Sequence, residues 1–426
     1  MIQLFKVKNF LSIREEQTLD FTASSDKTYE EYTVTTINNV RISKIGIVYG
    51  SNASGKSNIL KALSWLFDFM TSDEQRKPSQ GTGLTPFLLD EKSRNEKSSF
   101  DLVFYANEIK FEYHLVLDSD RIYEEALYSY PNGRKAKFFE RTRDEEKGNS
   151  KITFGDLLRL NPTQKLYIKI KCIDNIPVMT AYQTSNVEKS GILDSLIKYI
   201  GAVVPPALTI DVDLSLFANR SIKNDDECKK FIAQMLVKAD FNISNFYVKE
   251  EKVDFSDDEI EKLKQFAKLM QRDMPQLDDF TKEELFFTHR TPSYTGDFSY
   301  NVESRGTQRM YGLLSILYFL IKNNIILISD EFENSLHYDL FTYFIKTFLA
   351  NSPSGQMIFS THNLLLLDED YIRRDMIFFA SKNEYGATQI YRAKDFGLHK
   401  DVSILNAYRN GKLGAIPQLG SIFVDE

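Results

Sequence analysis

Gly50-Ser51-Asn52-Ala53-Ser54-Gly55-Lys56-Ser57 decides how this chain is read. Glycines at both ends of the octet let backbone N–H groups wrap a phosphate. Lys56 is placed to reach the outer phosphates of a nucleoside triphosphate, and the Ser57 hydroxyl is a hard oxygen ligand for Mg²⁺. The flanking residues supply the context such a loop needs. Ile45-Gly46-Ile47-Val48-Tyr49 reads as a buried strand, while Ile59, Leu60, Leu63, Leu66, Phe67 and Met70 recur at helical spacing. Strand, loop and helix in that order aim a positive helix N-terminus at the phosphates. The expected nucleotide-binding set is Gly50, Ser51, Asn52, Ala53, Ser54, Gly55, Lys56, Ser57 and Asn58.

Three downstream segments extend the site. Ile325 to Ser329 is a short apolar strand ending in Asp330-Glu331, expected to lie beside the strand of the octet, with Asp330 on the metal and Glu331 polarising the attacking water. Glu303-Ser304-Arg305-Gly306-Thr307-Gln308 precedes an apolar helix from Met310 to Ile321, so Ser304, Gly306 and Thr307 fall at a helix N-terminus, an anion-attracting place. Gln356 to Asn363 is an apolar strand ending in Ser360-Thr361-His362, where an imidazole can donate to a γ-phosphate. Each has a plain structural reading on its own: acids at a helix start, a Ser N-cap, a histidine closing a strand. Their fixed order after the octet favours the phosphate-handling one.

That order resembles the ABC-type ATPase heads of the RecF, SMC and OLD group. It is most similar to stand-alone bacterial ATPases related to RloA and the abortive-infection ATPases, the PARIS-type ATPase subunit among them. The resemblance implies an α/β fold: a P-loop NTPase head of ABC type with an antiparallel β-lobe and a mainly helical insertion. It implies ATP and Mg²⁺ as cofactors, with Ser57 and Asp330 on the metal and Glu331 and His362 as the catalytic residues. It also implies a homo-oligomer built on paired heads, in which Ser304, Gly306 and Thr307 act in trans as the signature. A separate effector protein, a nuclease or toxin, is the implied partner. The chain departs from the wider ABC pattern at Phe332, where proline is usual, and at Glu333-Asn334-Ser335-Leu336-His337, which replaces a segment ending in Leu-Asp. No Q-loop glutamine is assigned.

The expected organisation is residues 1–155 for the octet and β-lobe, 156–285 for the insertion and 286–426 for the signature, Asp330-Glu331 and His362. Within the lobe, Ser99 to Tyr105, Phe111 to Leu117 and Ile122 to Tyr130 read as antiparallel strands, with Pro131-Asn132-Gly133 turning into Lys137 to Arg141. Met1 to Lys8 alternates like an edge strand. Lys165, Lys169 and Lys171 alternate with Ile168 and Ile170 and read as a lysine-guarded strand edge or a basic strand face. Ser256-Asp257-Asp258-Glu259 reads as a capping box before a helix through Leu263, Ala267 and Met270. No heptad pattern persists far enough for an SMC-like arm.

The 426 residues, 42% hydrophobic, suffice for a large core in two lobes. Cys172 and Cys228 lack metal-ligand spacing and point to a reducing, cytoplasmic setting. The stretch from Met310 to Ile321 is too short to span a bilayer, and no membrane segment is expected. A net charge of −7 leaves DNA binding open, through a local basic face. The tail after His362 reads as too small for a metal-dependent TOPRIM nuclease, so no intrinsic nuclease is expected. The functional reading is an ATPase whose ATP-dependent head pairing switches an effector in anti-phage defence. Two others stay open: a RecF-like DNA-repair ATPase and a non-hydrolysing nucleotide-dependent scaffold.

Overall fold

In the computed structural model the apolar run before the octet is a strand buried at all six positions, Ile45–Gly50, and the helical spacing after it is a helix, Lys56–Thr71. Residues 1–72, 76–144, 146–188, 191–209, 212–239, 242–252, 260, 281–399 and 402–416 are described. The capping box at Ser256 to Glu259 and the Leu263, Ala267 and Met270 positions lie outside them. The chain forms two compact units: Met1–Val212 with Leu320–Asn334 and Thr342–Glu426, and Asp213–Phe319 with Ser335–Phe341.

The first unit opens with β1 (Ile2–Lys8), β2 (Gln17–Asp20), the hairpin of β3 (Val34–Ile37) and β4 (Val40–Ser43), then β5 (Ile45–Gly50) and α1 (Lys56–Thr71). β6 (Ser98–Ala106), β7 (Ile109–Leu117), β8 (Ile122–Ser129), β9 (Ala136–Asp144) and β10 (Asn149–Phe154) follow. They complete a seven-stranded antiparallel sheet in the order β10-β9-β8-β7-β6-β1-β2. The lobe strands expected from the alternation are all present. The N-terminal strand is not an edge, however: β1 pairs with β6 on one side and β2 on the other. Alternation reports which face is buried and says nothing about which hydrogen-bonding flank is occupied.

Helices α2 (Pro162–Lys171), α3 (Val178–Thr184) and α4 (Gly191–Val203) continue the first unit. The strand reading of Lys165, Lys169 and Lys171 is corrected by α2. Asn161 and Gln164 form a reciprocal capping box and Pro162 occupies the first turn, so a strong helix start overrides a five-residue alternation; Lys169 and Lys171 lie in the last turn, where cations are favoured.

The second unit contains α5 (Ser215–Asn224), α6 (Asp226–Lys238), and an antiparallel sheet of β11 (Ile243–Lys252), β12 (Thr281–Arg290) and β13 (Thr295–Ser299). The sequence reading contains no strands here. Tyr311, from α7 (Arg305–Lys322), packs edge-on against Phe246 and Phe287 with ring centroids 5.4 and 5.5 Å away.

The chain then supplies β14 (Ile326–Ser329), α8 (Tyr338–Asn351), β15 (Gln356–Ser360), β16 (Ile377–Lys382), β17 (Thr388–Arg392) and α9 (Ile404–Arg409). With β5 these strands form a sheet in the order β14-β15-β5-β16-β17, parallel except for β17. Contrary to expectation, β14 does not lie beside the strand of the octet, because β15 separates them. Strand order depends on crossover connections, which a local run of apolar residues does not encode. The buried Gln356 ties the two large sheets together, accepting the Ile2 N–H at 2.7 Å and donating to the Ile2 and Ser43 carbonyls. Trp65 on α1 stacks on Phe69 and on Phe100 of β6 at 4.7 and 5.0 Å. Among the described residues the longest helix has 18 residues, far short of a coiled-coil arm, and no helix is long and apolar enough to cross a membrane.

Candidate functional site

Because β14, β15 and β5 run parallel, their C-terminal ends share one edge of the sheet, and the loops that leave this edge carry the octet, Asp330-Glu331 and Thr361-His362. Two glycines shape the octet. A Cβ on Gly50 would collide with the Ala380 carbonyl and the Ser54 hydroxyl; Gly55, at φ +105° before α1, leaves no room for one against Thr388. Ala53 is also left-handed, at φ +61°. Asn52 and Ala53 are exposed, Ser51 and Ser57 half-buried, and Ser54, Gly55 and Lys56 buried.

A pair of hydroxyls braces this loop from outside. Thr388 donates to the Ser54 carbonyl at 3.0 Å and shares a 2.7 Å hydrogen bond with Ser12, whose oxygen accepts the Asn58 carboxamide at 2.7 Å. Asn58, expected among the nucleotide-binding residues, thus spends its amide on Ser12. Ser51 N–H donates to the Ala415 carbonyl at 3.0 Å. The Lys56 ammonium donates to the Gly50 and Ser51 carbonyls, each at 3.0 Å. Burial pushes its pKa below the ordinary lysine range, while the negative charges of Glu331, Asp330 and Glu333 pull the other way. The buried Ser54 hydroxyl has no hydrogen-bond partner among the described residues.

Across the site, Ser360 organises the acids. Its hydroxyl donates to Asp330 Oδ1 at 2.5 Å and accepts the Glu331 N–H at 2.8 Å, and its carbonyl accepts the Phe332 N–H at 3.2 Å. Glu331 sits at φ +45°, left-handed. His362 Nε2 lies 3.4 Å from Glu331 Oε1, both side chains partly exposed, and the His362 N–H donates to Glu333 Oε1 at 2.6 Å. The expected catalytic pair is therefore brought together at the same sheet edge as Lys56 and Asp330. Ser360 and Glu333 stand within the sequence motifs, which by themselves mark no role for either. Ser12 and Thr388 gave no sequence signal.

The signature residues belong to the second unit. Ser304 accepts the Thr307 N–H at 3.1 Å and shares a 2.8 Å hydrogen bond with the Thr307 hydroxyl, so it caps α7. A Cβ on Gly306 would stand 3.3 Å from the Ser335 carbonyl. His289 Nε2 is 2.6 Å from Glu303 Oε1, just before the cap.

A cationic loop opposite carboxylates and an imidazole suits recognition of an anion that carries a bound cation. The family described as "AAA domain, putative AbiEii toxin, Type IV TA system" matches residues 46–164 and 195–368, more than half of the chain. The chain belongs to this family. It is accordingly an ATPase-family protein, with a mixed α/β fold in which a mainly parallel sheet accompanies a seven-stranded antiparallel lobe. Three solved structures are similar in outline. They are the SMC head bound to the C-winged helix domain of ScpA (11% identity, covering 95% of this chain and 99% of that one, TM-score 0.43), the SMC head domain from Thermotoga maritima (13%, 92% and 98%, 0.41) and the SMC head with an extended coiled coil bound to the C-terminal domain of ScpA, from Pyrococcus furiosus (10%, 97% and 98%, 0.40). No curated protein matches the chain.

Proposed function

We propose that this chain binds and hydrolyses ATP as an ABC-type ATPase, and that ATP-dependent pairing of two heads switches a separate effector protein, a nuclease or toxin, in anti-phage defence of the abortive-infection kind. The observation that carries the reading is the electrostatic meeting of Lys56 with Asp330, Glu331 and Glu333 at one edge of a parallel sheet. The family description, which names an AbiEii toxin and a type IV toxin–antitoxin system, supports the defence role.

The residues present fit the substrate and its metal. An ammonium held by two loop carbonyls and an orphaned Ser54 hydroxyl suit a polyanion, and Ser57 and Asp330 offer the hard oxygens that magnesium prefers. Magnesium held there would supply charge neutralisation between the outer phosphates. Lys56 and the octet backbone hold the phosphates, Glu331 orients and polarises the attacking water, and His362 donates to the γ-phosphate from its place beside Glu331. Ser304, Gly306 and Thr307 close the site from the partner head, so a lone head binds ATP and a paired one turns it over.

Lys56→Ala and Glu331→Gln separate these steps. The lysine variant is expected to lose nucleotide binding; the glutamine variant to keep ATP, lose turnover and accumulate the paired species in size-exclusion chromatography with light scattering. Turnover by Glu331→Gln at the parental rate would remove Glu331 from its role. Absence of phage protection by the parental chain would remove the defence role, and retention of protection by both variants would detach that role from ATP.

A further inference from the structure

We infer that Glu333 is the positioning residue of the Glu331 and His362 pair; the inference rests on the hydrolytic reading above. Beside the bond from Ser360 Oγ to Asp330, three backbone N–H donors stitch the loop after β14 to the end of β15 and the loop beyond it: Glu331 N–H to Ser360 Oγ at 2.8 Å, Phe332 N–H to the Ser360 carbonyl at 3.2 Å, and His362 N–H to Glu333 Oε1 at 2.6 Å. The first two fix the backbone on the acid side. The third, short and charge-assisted, fixes the backbone of His362 itself.

The imidazole reaches Glu331 through only two side-chain torsions, so where its Cα is pinned decides whether Nε2 stands 3.4 Å from Glu331 Oε1 or swings into solvent. Partial exposure of both side chains makes this matter more, because the ring is covered on only part of its surface. On the other side of the pair, Glu331 is held in a left-handed conformation that a non-glycine residue adopts only under constraint.

Glu333 is also more than a loop staple. Among the described residues its buried Oε2 has no hydrogen-bond partner, a cost to stability that a purely packing residue would not carry. Its charge is one of the three that bear on Lys56, which puts the side chain in the field of the same site. The carboxylate that anchors the His362 backbone thus belongs to the catalytic edge of the sheet. Glu331 and His362 act on substrate, and Glu333 acts through His362.

The experiment compares wild type with Glu333→Ala, Glu333→Gln and Glu333→Asp in three measurements on the full chain: steady-state ATP hydrolysis, ATP affinity, and hydrogen exchange at the His362 amide without nucleotide. Glu333→Ala is expected to lower kcat by about tenfold or more, to change KM and the ATP Kd by less than about threefold, and to speed exchange at His362. Glu333→Gln keeps a carbonyl acceptor and should recover most of kcat and of the protection. Glu333→Asp keeps the charge but withdraws it by one methylene, so it should behave like alanine, and it decides the matter if the alanine variant does not fold. Parental kcat and parental exchange in the alanine or aspartate variant would overturn the inference, as would a loss that falls on KM and Kd instead of kcat. A glutamine variant as impaired as alanine would assign the effect to charge and overturn it too. Absence of turnover in the wild type would instead defeat the hydrolytic reading, and would do so before any variant is compared.

Discussion

Ser360→Ala tests whether one buried hydroxyl sets the geometry of the acids. Ser360 is fully buried at the end of β15 and makes two bonds with its hydroxyl, a 2.5 Å donation to Asp330 Oδ1 and a 2.8 Å acceptance from Glu331 N–H. Hydrogen bonds to charged groups contribute roughly 1.5–3 kcal/mol, and a buried N–H left unpaired costs about 1–3 kcal/mol. The methyl of alanine replaces neither. If the loss of orientation is felt in the transition state, the first figure corresponds to a fall in kcat of about ten- to a hundredfold. The backbone bond from Phe332 N–H to the Ser360 carbonyl survives the substitution, so the loop keeps its path and ATP affinity should change by less than about threefold. Single-turnover hydrolysis beside equilibrium ATP binding separates the two effects. A parental rate, or a loss seen only in Kd, would refute the argument that Ser360 positions Asp330 and Glu331 for the chemical step.

Two other expectations follow from buried polar groups. Thr388→Val keeps shape but removes the hydroxyl that braces Ser54 and Ser12, and ATP Kd should rise about tenfold, matching a cost of roughly 1–2 kcal/mol; an unchanged Kd in calorimetry would contradict it. Glu125 is fully buried, accepts the Val178 N–H and the Tyr113 hydroxyl, and burial pushes its pKa from 4.5 up to about 7 although Arg141 pulls it down. A raised pKa means that the folded state holds the proton more tightly. Its contribution to stability is complete below pH 4.5 and is lost as pH rises through about 7, with a ceiling of roughly 3 kcal/mol. Glu125→Gln should therefore gain stability relative to wild type between pH 5 and 8, in urea unfolding followed by the single tryptophan, Trp65. A pH-independent difference would count against it.

The parts of the fold that were legible are those written in neighbouring residues. Ile45 to Tyr49 and the spacing from Ile59 to Met70 gave β5 and α1, and the alternation from Ser99 to Arg141 gave the lobe strands β6 to β9. The same local reasoning failed at Lys165 to Lys171, where the Asn161 cap outweighed a short alternation. In β11 and β12 the core-facing Phe246, Leu285 and Phe287 stand in strands separated in sequence by a long stretch, and neither strand was recognised alone. The order β14-β15-β5 was out of reach because nothing in β14 records which strand it pairs with. The site followed the same division. Lys56, Asp330, Glu331 and His362 sit in motifs whose order is visible, whereas the Ser12 and Thr388 brace joins residues 376 positions apart that share no pattern.

The charges of the first unit bear on why, in the proposed cycle, a lone head binds and a pair hydrolyses. The charges of Asp330, Glu331 and Glu333 all act on Lys56, so a triphosphate arriving beside that ammonium adds negative charge near three carboxylates. The octet backbone and a cation on Ser57 and Asp330 offset that where the phosphates enter. In the proposed reaction the charge that develops on the γ-phosphate would be met by the partly exposed Glu331 and His362 pair. Donors for that charge are what the capped N-terminus of α7 presents, with Ser304 and Thr307 already held in one geometry by their mutual hydrogen bond. In the proposed paired arrangement that end would come from the other molecule and shield the partly exposed pair from water. On that proposal the barrier would fall only after association, bound ATP would report pairing, and its loss would signal release.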